Sequence, residues 1–296
     1  MRPDATRRLA PVPPATATPA PVFAAEAIAA SAVRCLLLEV ATWPKPGLVS
    51  HMDSGSHDDM DAETFRRSAL AISPYFEALV DAGARGGAMG WLRVIGLEAE
   101  AAMLRATSGI NTHRGAIFGL GLLCAAAGAR GSGHVDGSST LGAVVTRLWG
   151  PAILSGPVLL HSHGTSMRHR YGAGGARVEA ALGFPTVYQL GLPVLRRRLR
   201  EAPEDAEAAR VEVCFELIAA LEDTNLLHRG GPVGLRFARR CARAFLDQGG
   251  VRSLGWRDRA REIHQRFVAR HLSPGGSADL LAMTLFIDDH EGELPA

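Results

Sequence analysis

The chain of 296 residues and 31.3 kDa can bury a sizeable core, and its 32 Lys and Arg against 30 Asp and Glu leave a formal charge of +2, too little for a coat on nucleic acid. Hydrophobic residues make up 47%, yet the longest uncharged apolar stretch, Gly115 to Ala129, falls short of the roughly 20 residues a membrane span needs. Cys35, Cys124, Cys214 and Cys241 stand singly without a Cys-x-x-Cys pair, which argues against a zinc knuckle or a disulfide framework and for reduced, buried, inert thiols in a cytoplasmic protein.

Residues 1–22 are mostly Pro, Ala and Thr with little to bury, and read as a disordered leader whose prolines break any apolar signal core. Residues 23–296 then form one domain. From Ala24 the period is helical, with Ile28, Cys35, Leu36 and Leu38 on one face, and Val211, Cys214, Phe215, Ile218 and Leu221 repeat the pattern later. Further helices are predicted over Asp61–Ala82, Ala88–Thr107, His113–Ala129, Ser138–Leu148, Gly230–Asp247, Trp256–His271 and Ser277–Asp288. Only Pro157–Leu160 hints at a strand, so the expected fold is all-α, a multi-helix bundle-like single domain with Gly/Pro-rich active-site loops.

The loops between these helices carry the chemistry. Trp43-Pro44-Lys45-Pro46-Gly47-Leu48-Val49 holds the only lysine of a chain with 31 arginines, either a leftover in a turn or a point charge kept for a phosphate. His51, Asp53, His57, Asp58, Asp59 and Asp61 crowd one loop; Asp61 suits a helix cap, and the remainder suits a hard cation or acid/base work. Gly109-Ile110-Asn111-Thr112-His113-Arg114-Gly115 opens a helix, where free amides and a positive dipole end attract an anion, unless Thr112 is simply a cap. Asp223-Thr224-Asn225 to Arg229-Gly230-Gly231 and Leu272-Ser273-Pro274-Gly275-Gly276-Ser277-Ala278-Asp279 are two more glycine-bearing helix starts. His161 and His163 read as structural, for want of a third ligand at metal spacing. Arg196-Arg197-Arg198-Leu199-Arg200 has no interleaved aromatic and reads as a solvated helix face.

In this order the segments resemble the triphosphoribosyl-dephospho-coenzyme A synthase family. The carrying motifs are Pro44 to Val49, His57 to Asp61, Gly109 to Phe118, Gly175 to Ala180 with Gly183-Phe184-Pro185, Asp223 to Gly231, and Leu272 to Leu281. Arg114 and the Ala116-Ile117-Phe118 context look like the malonate decarboxylase branch, whereas Ser50-His51 departs from the Asp-Arg frequent in the family. The resemblance implies joining of ATP to 3'-dephospho-coenzyme A with release of adenine, giving a prosthetic-group precursor that a downstream carrier-protein transferase uses. A sugar transition state with cationic character then needs negative charge nearby, the attacking 2'-hydroxyl a base, the leaving adenine a proton donor, and the triphosphate cations.

On these motifs Asp59 or Asp61 supplies magnesium ligands or the base, and Asp223 and Asp279 are the alternative carboxylates. Lys45, His113, Arg114 and Arg229 hold phosphates, and the loops at Gly230 and Gly275 offer backbone donors. Gly47, His57, Asn111, Thr112, Gly115, Arg177, Asn225, Ser273, Gly276 and Ser277 complete the expected substrate contacts. Two other readings compete: a helical metal-dependent phosphohydrolase built on His57-Asp58, and a non-catalytic nucleotide or coenzyme A binding protein.

Overall fold

The computed structural model describes residues 25–157 and 175–292. The leader, the histidines at 161 and 163 and most of the strand-like stretch ending at Leu160 lie outside the described residues. Those described form eleven α-helices and no strand. In chain order they are α1 (Ala25–Ala41), α2 (Ala62–Ala84), α3 (Met89–Ala106), α4 (Arg114–Gly131), α5 (Leu141–Ser155), α6 (Gly175–Ala181), α7 (Leu192–Glu201), α8 (Ala206–Ala220), α9 (Thr224–Asp247), α10 (Trp256–Val268) and α11 (Gly275–Glu291). A π-helical turn at Val187–Gly191 leads into α7, and a 3₁₀ turn at Gly250–Arg252 separates α9 from α10.

The central element is α4, buried almost all round, as its weakly amphipathic, small-residue sequence requires. It packs against α2 on one side and α11 on another, while α1 and α3 flank α2. Two glycines set the α2–α4 distance. A Cβ at Gly83 would lie 1.9 Å from the Ala125 carbonyl oxygen, and one at Gly128 would lie 2.0 Å from that of Val80. Gly83→Ala is therefore expected to lower stability by about 1–3 kcal/mol, the usual cost of overpacking a tight core. A urea titration with an unchanged midpoint would show that the helix pair yields without cost.

The predicted helices are present, with shifted ends. α5 continues through Pro151 to Ser155, and Asp61 caps α2 by accepting hydrogen bonds from the Thr64 amide (2.8 Å) and hydroxyl (2.7 Å). The helix expected to begin at Gly230 begins at Thr224 and kinks at Gly231 (φ 58°, ψ −165°), a conformation closed to most residues, before Pro232 restarts it. Thr112 is no cap, since its hydroxyl donates to Ser68 Oγ at 2.7 Å. Helix α6 is an addition to the predicted set, and α7 extends the helix face expected at Arg196–Arg200 back to Leu192. The arginine run of α7 is also not wholly solvated: Arg198 is buried and pairs with Glu201, Arg196 pairs with Asp288 at 2.7 Å, and Arg197 reaches Glu212 at 3.5 Å. All four cysteines are free and buried, and burial pushes the thiol of Cys214 up to about 12.

Candidate active site

Three helix N-termini, those of α4, α9 and α11, meet at two carboxyl groups. Asp223 is the N-cap of α9, its Oδ1 accepting from the amides of Asn225 (2.9 Å) and Leu226 (3.3 Å). Its Oδ2 accepts from the amide (2.9 Å) and hydroxyl (3.1 Å) of Ser277, so one side chain ties α9 to the first turn of α11. Asp279, two residues further along α11, accepts from the Ala116 amide at the start of α4. Glycine is needed on both sides: a Cβ at Gly115 would lie 2.0 Å from Asp279 Oδ2, and one at Gly276 would lie 3.1 Å from Asp223 Oδ2.

The two acids differ in proton affinity. Burial raises Asp223, but hydrogen bonds from Ser277, Asn225 and Leu226 oppose the rise. Asp279 lies deep in the protein yet reaches solvent through a cleft; burial lifts it well above the usual carboxylate range, and the negative charges of Glu39 and Asp223 lift it further. Both carboxyls are thus lifted above the usual range, Asp279 the further, so Asp279 is the better placed of the two to hold a proton.

That cleft has a volume of about 610 Å³ and brings together Asn111, Arg114, Gly115, Arg177, Asp223, Asn225, Gly276 and Asp279 from the expected set. Arg114 Nε donates to Glu100 Oε2 at 2.9 Å, a partner from α3 that the loop motifs gave no reason to name. Arg177 closes the C-terminal end of α5, donating to the carbonyls of Ile153 (3.1 Å), Leu154 (3.1 Å), Gly156 (3.0 Å) and Pro157 (3.3 Å), which commits most of its donors to the fold.

Several expected contacts are corrected. Lys45 is fully buried; its ammonium pairs with the Glu39 carboxylate and donates to the Glu39 carbonyl oxygen at 2.6 Å, so no phosphate reaches it. This pair sits behind the site, since Lys45, Glu39 and Asp223 all act on the Cys214 thiol. His113 is buried with Nδ1 2.6 Å from Ser68 Oγ, and burial pushes it down to about 3; a neutral ring cannot serve as a phosphate cation. The Ser277 amide and hydroxyl are both engaged by Asp223. Gly275 stands at the head of α11, where a Cβ would meet Asn225 Nδ2 at 2.8 Å.

The remaining expected residues build a clamp outside the cleft. A Cβ at Gly47 would fall 2.0 Å from the Leu272 carbonyl oxygen, and one at Gly230 would fall 2.6 Å from Leu272 Cδ2, so both glycines are packing sites rather than backbone donors to a ligand. Ser56 Oγ donates to the Leu272 carbonyl at 2.7 Å, and Arg229 donates to the carbonyls of Ser56 (3.0 Å) and His271 (3.1 Å). His57 stands between Ser273 Oγ (3.0 Å) and Arg229 (3.1 Å), and burial together with that cation holds it below the usual histidine range. The clamp fixes the chain just before α11, and through it the position of Asp279. Asp61 spends its Oδ1 on the α2 start and the exposed Asp59 lies 3.7 Å from His57, so this loop does not assemble the expected magnesium site. Among the described residues no cluster of three or more His, Cys, Asp or Glu is placed to hold a metal.

A family model described as ATP:dephospho-CoA triphosphoribosyl transferase matches residues 25–295. The chain belongs to this family. A protein of Pseudomonas paraeruginosa named "Probable 2-(5''-triphosphoribosyl)-3'-dephosphocoenzyme-A synthase" is 42% identical over 270 residues, 89% of this chain and 90% of the relative. Proteins of the same name from Pseudomonas fluorescens (41% over 275 residues, 91% and 93%) and Stutzerimonas stutzeri (41% over 270 residues, 90% and 92%) are similarly close. No solved structure matches the chain.

Proposed function

We propose that the protein transfers the triphosphoribosyl group of ATP to the 2'-hydroxyl of 3'-dephospho-coenzyme A. The C1'–N9 bond of ATP breaks, its electron pair leaves with adenine, and a C1'–O bond to the acceptor forms. Adenine gains one proton and the acceptor hydroxyl loses one, so no net proton is released. The observation that carries the reading is the Asp223–Asp279 pair in a cleft where three helices begin. Asp279, holding a proton, gives it to the departing adenine and recovers one from the acceptor hydroxyl. Asp223, whose carboxylate form is favoured by four hydrogen bonds against its burial, faces the positive charge that develops on the ribose. Arg114 and the open amides at the α4 and α11 starts receive the triphosphate.

Magnesium carried with ATP would be held by hard oxygen donors beside the phosphates, and Glu222 and Asn225, which line the cleft next to Asp223, fit that demand. The ion would neutralise phosphate charge.

The malonate decarboxylase branch is supported by Arg114 and the Ala116-Ile117-Phe118 context, with a carrier-protein transferase consuming the product. Cytoplasmic placement fits the protonated thiols, and no helix among the described residues is long and apolar enough to cross a membrane. The phosphohydrolase reading is not favoured, because His57 is engaged by Ser273 and Arg229 in the clamp.

The test is incubation with ATP and 3'-dephospho-coenzyme A, followed by chromatography for free adenine. Phosphate release in place of adenine, or neither product, would overturn the assignment. Asp59→Asn should release adenine like the wild type, because its exposed carboxylate lies outside the cleft. Loss of turnover in that variant would bring the loop back into the mechanism.

A further inference from the structure

The cleft is chemically two-sided, and its second half is not used by the reaction just described. One face of α3 runs along it with helical spacing: Met89, Leu92, Arg93, Gly96, Leu97 and Glu100. Glu100 marks the reacting end, because its partner Arg114 precedes Gly115, against which Asp279 rests. From there to Met89 the helix spans about 16 Å. Over that distance the lining is apolar but for Arg93, and Phe118 and Leu122 of α4 line the same cleft.

Gly96 is the informative residue. It sits inside a helix, where glycine costs about 1 kcal/mol relative to alanine. Its backbone is helical, so no turn requires it, and a Cβ placed there would meet no protein atom within 4 Å. This sets it apart from Gly83, Gly115, Gly119 and Gly128, each of which makes room for a neighbouring helix or side chain; Gly90 of α3 is equally open, but of the two only Gly96 lines the cleft. The space kept clear at Gly96 is cleft space.

We infer that the α3 face from Glu100 to Met89 is the binding channel for the pantetheine arm of the acceptor, and that Gly96 keeps this channel open. The inference rests on the proposed reaction. Of the two substrates only 3'-dephospho-coenzyme A carries a long flexible chain, in which a gem-dimethyl group and methylenes alternate with a hydroxyl and two amides; ATP ends in a planar base that has to leave beside Asp279. A channel leading away from the acid pair, apolar but for Arg93, suits that mixture: its walls cover the hydrocarbon, and the guanidinium can donate to an amide carbonyl. Leu97, about half exposed, carries the apolar wall to the rim, which suits a flexible arm whose thiol end takes no part in the reaction.

The experiment compares wild type, Gly96→Ala and Gly96→Leu by calorimetric titration with 3'-dephospho-coenzyme A and, separately, with ADP, which has the acceptor's adenosine and diphosphate without the arm. Wild type should bind 3'-dephospho-coenzyme A at least tenfold more tightly than ADP. Gly96→Leu should erase that difference while leaving ADP affinity and the KM for ATP within about twofold, and Gly96→Ala should fall between. Both variants should keep or raise the thermal midpoint, since each improves helix propensity in open space. Equal wild-type affinity for the two ligands overturns the channel, as does an intact preference in Gly96→Leu or a rise confined to the KM for ATP. A midpoint lowered by Gly96→Leu overturns the premise that the space is free. Because binding is measured without turnover, a wild type that shows the preference but releases no adenine would count against the proposed reaction and not against the channel.

Discussion

Asp279→Asn is expected to slow adenine release by about 10²- to 10⁴-fold, the range a positioned general acid–base group contributes, while the protein stays folded. Asparagine keeps the shape and can still accept the Ala116 amide bond, but it has no proton to give. The variant should also reveal itself in stability. Asp279 has a folded-state proton affinity above that of the unfolded chain, raised by burial and then by Glu39 and Asp223. Its contribution is therefore complete below the ordinary carboxylate value of 3.8 and is lost as pH rises from there through the higher folded-state value. The asparagine side chain titrates nowhere in that window. The difference in unfolding free energy between the two proteins should move in favour of the variant as pH climbs, then level off. Urea titrations at a series of pH values measure it; a difference flat in pH would show that Asp279 is ionised throughout and cannot be the acid.

How much of this was legible in the sequence depends on whether a residue's role is local or remote. Helix periodicity exposed α1 to α4 and α8 because each buries one face or all faces against neighbours close in sequence. α6 escaped inside a glycine-bearing segment read as a loop, and the arginine face of α7 was read as solvated because its partners stand on other helices, Asp288 for Arg196 and Glu212 for Arg197. At the site, glycine-rich helix starts pointed to Asp223, Asp279 and the α4 N-terminus, which the fold brings to one cleft, since the need for a small residue beside a capping acid is written locally. The clamp residues mislead for the opposite reason: His57, Arg229 and Ser273 have the polar character of ligand contacts, but they partner one another across more than 170 positions. Glu100 and Glu39 lay within regular helices, with no local feature to separate them from ordinary surface acids. The spacing of Met89, Leu92, Gly96 and Glu100 was the one available signal for the α3 face, and a lone mid-helix glycine is easily passed over.

Lys45→Met is expected to destabilise the protein by about 3–5 kcal/mol, the cost of leaving one partner of a buried ion pair uncompensated. At this chain length that lowers the thermal midpoint by on the order of 10 °C. Lys45 is fully buried and Glu39 nearly so, and methionine would leave the Glu39 carboxylate without its cation. Lys45→Arg should not rescue, because a longer planar group enters a slot closed on every side and adds an overpacking cost of about 1–3 kcal/mol. Glu39→Gln combined with Lys45→Met should recover much of the loss, since removing both charges removes the desolvation that the pair has to offset. A lysine that gripped the triphosphate would behave differently: Lys45→Met would raise the KM for ATP with little change in midpoint, and Glu39→Gln would not help. The buried pair also predicts a kinetic effect in the folded fraction. With its counter-charge gone, Glu39 acts more strongly on Asp279, which then holds its proton to higher pH, so the alkaline limb of the kcat profile should move upward while the KM for ATP stays put. An unmoved alkaline limb together with a raised KM would return Lys45 to the substrate.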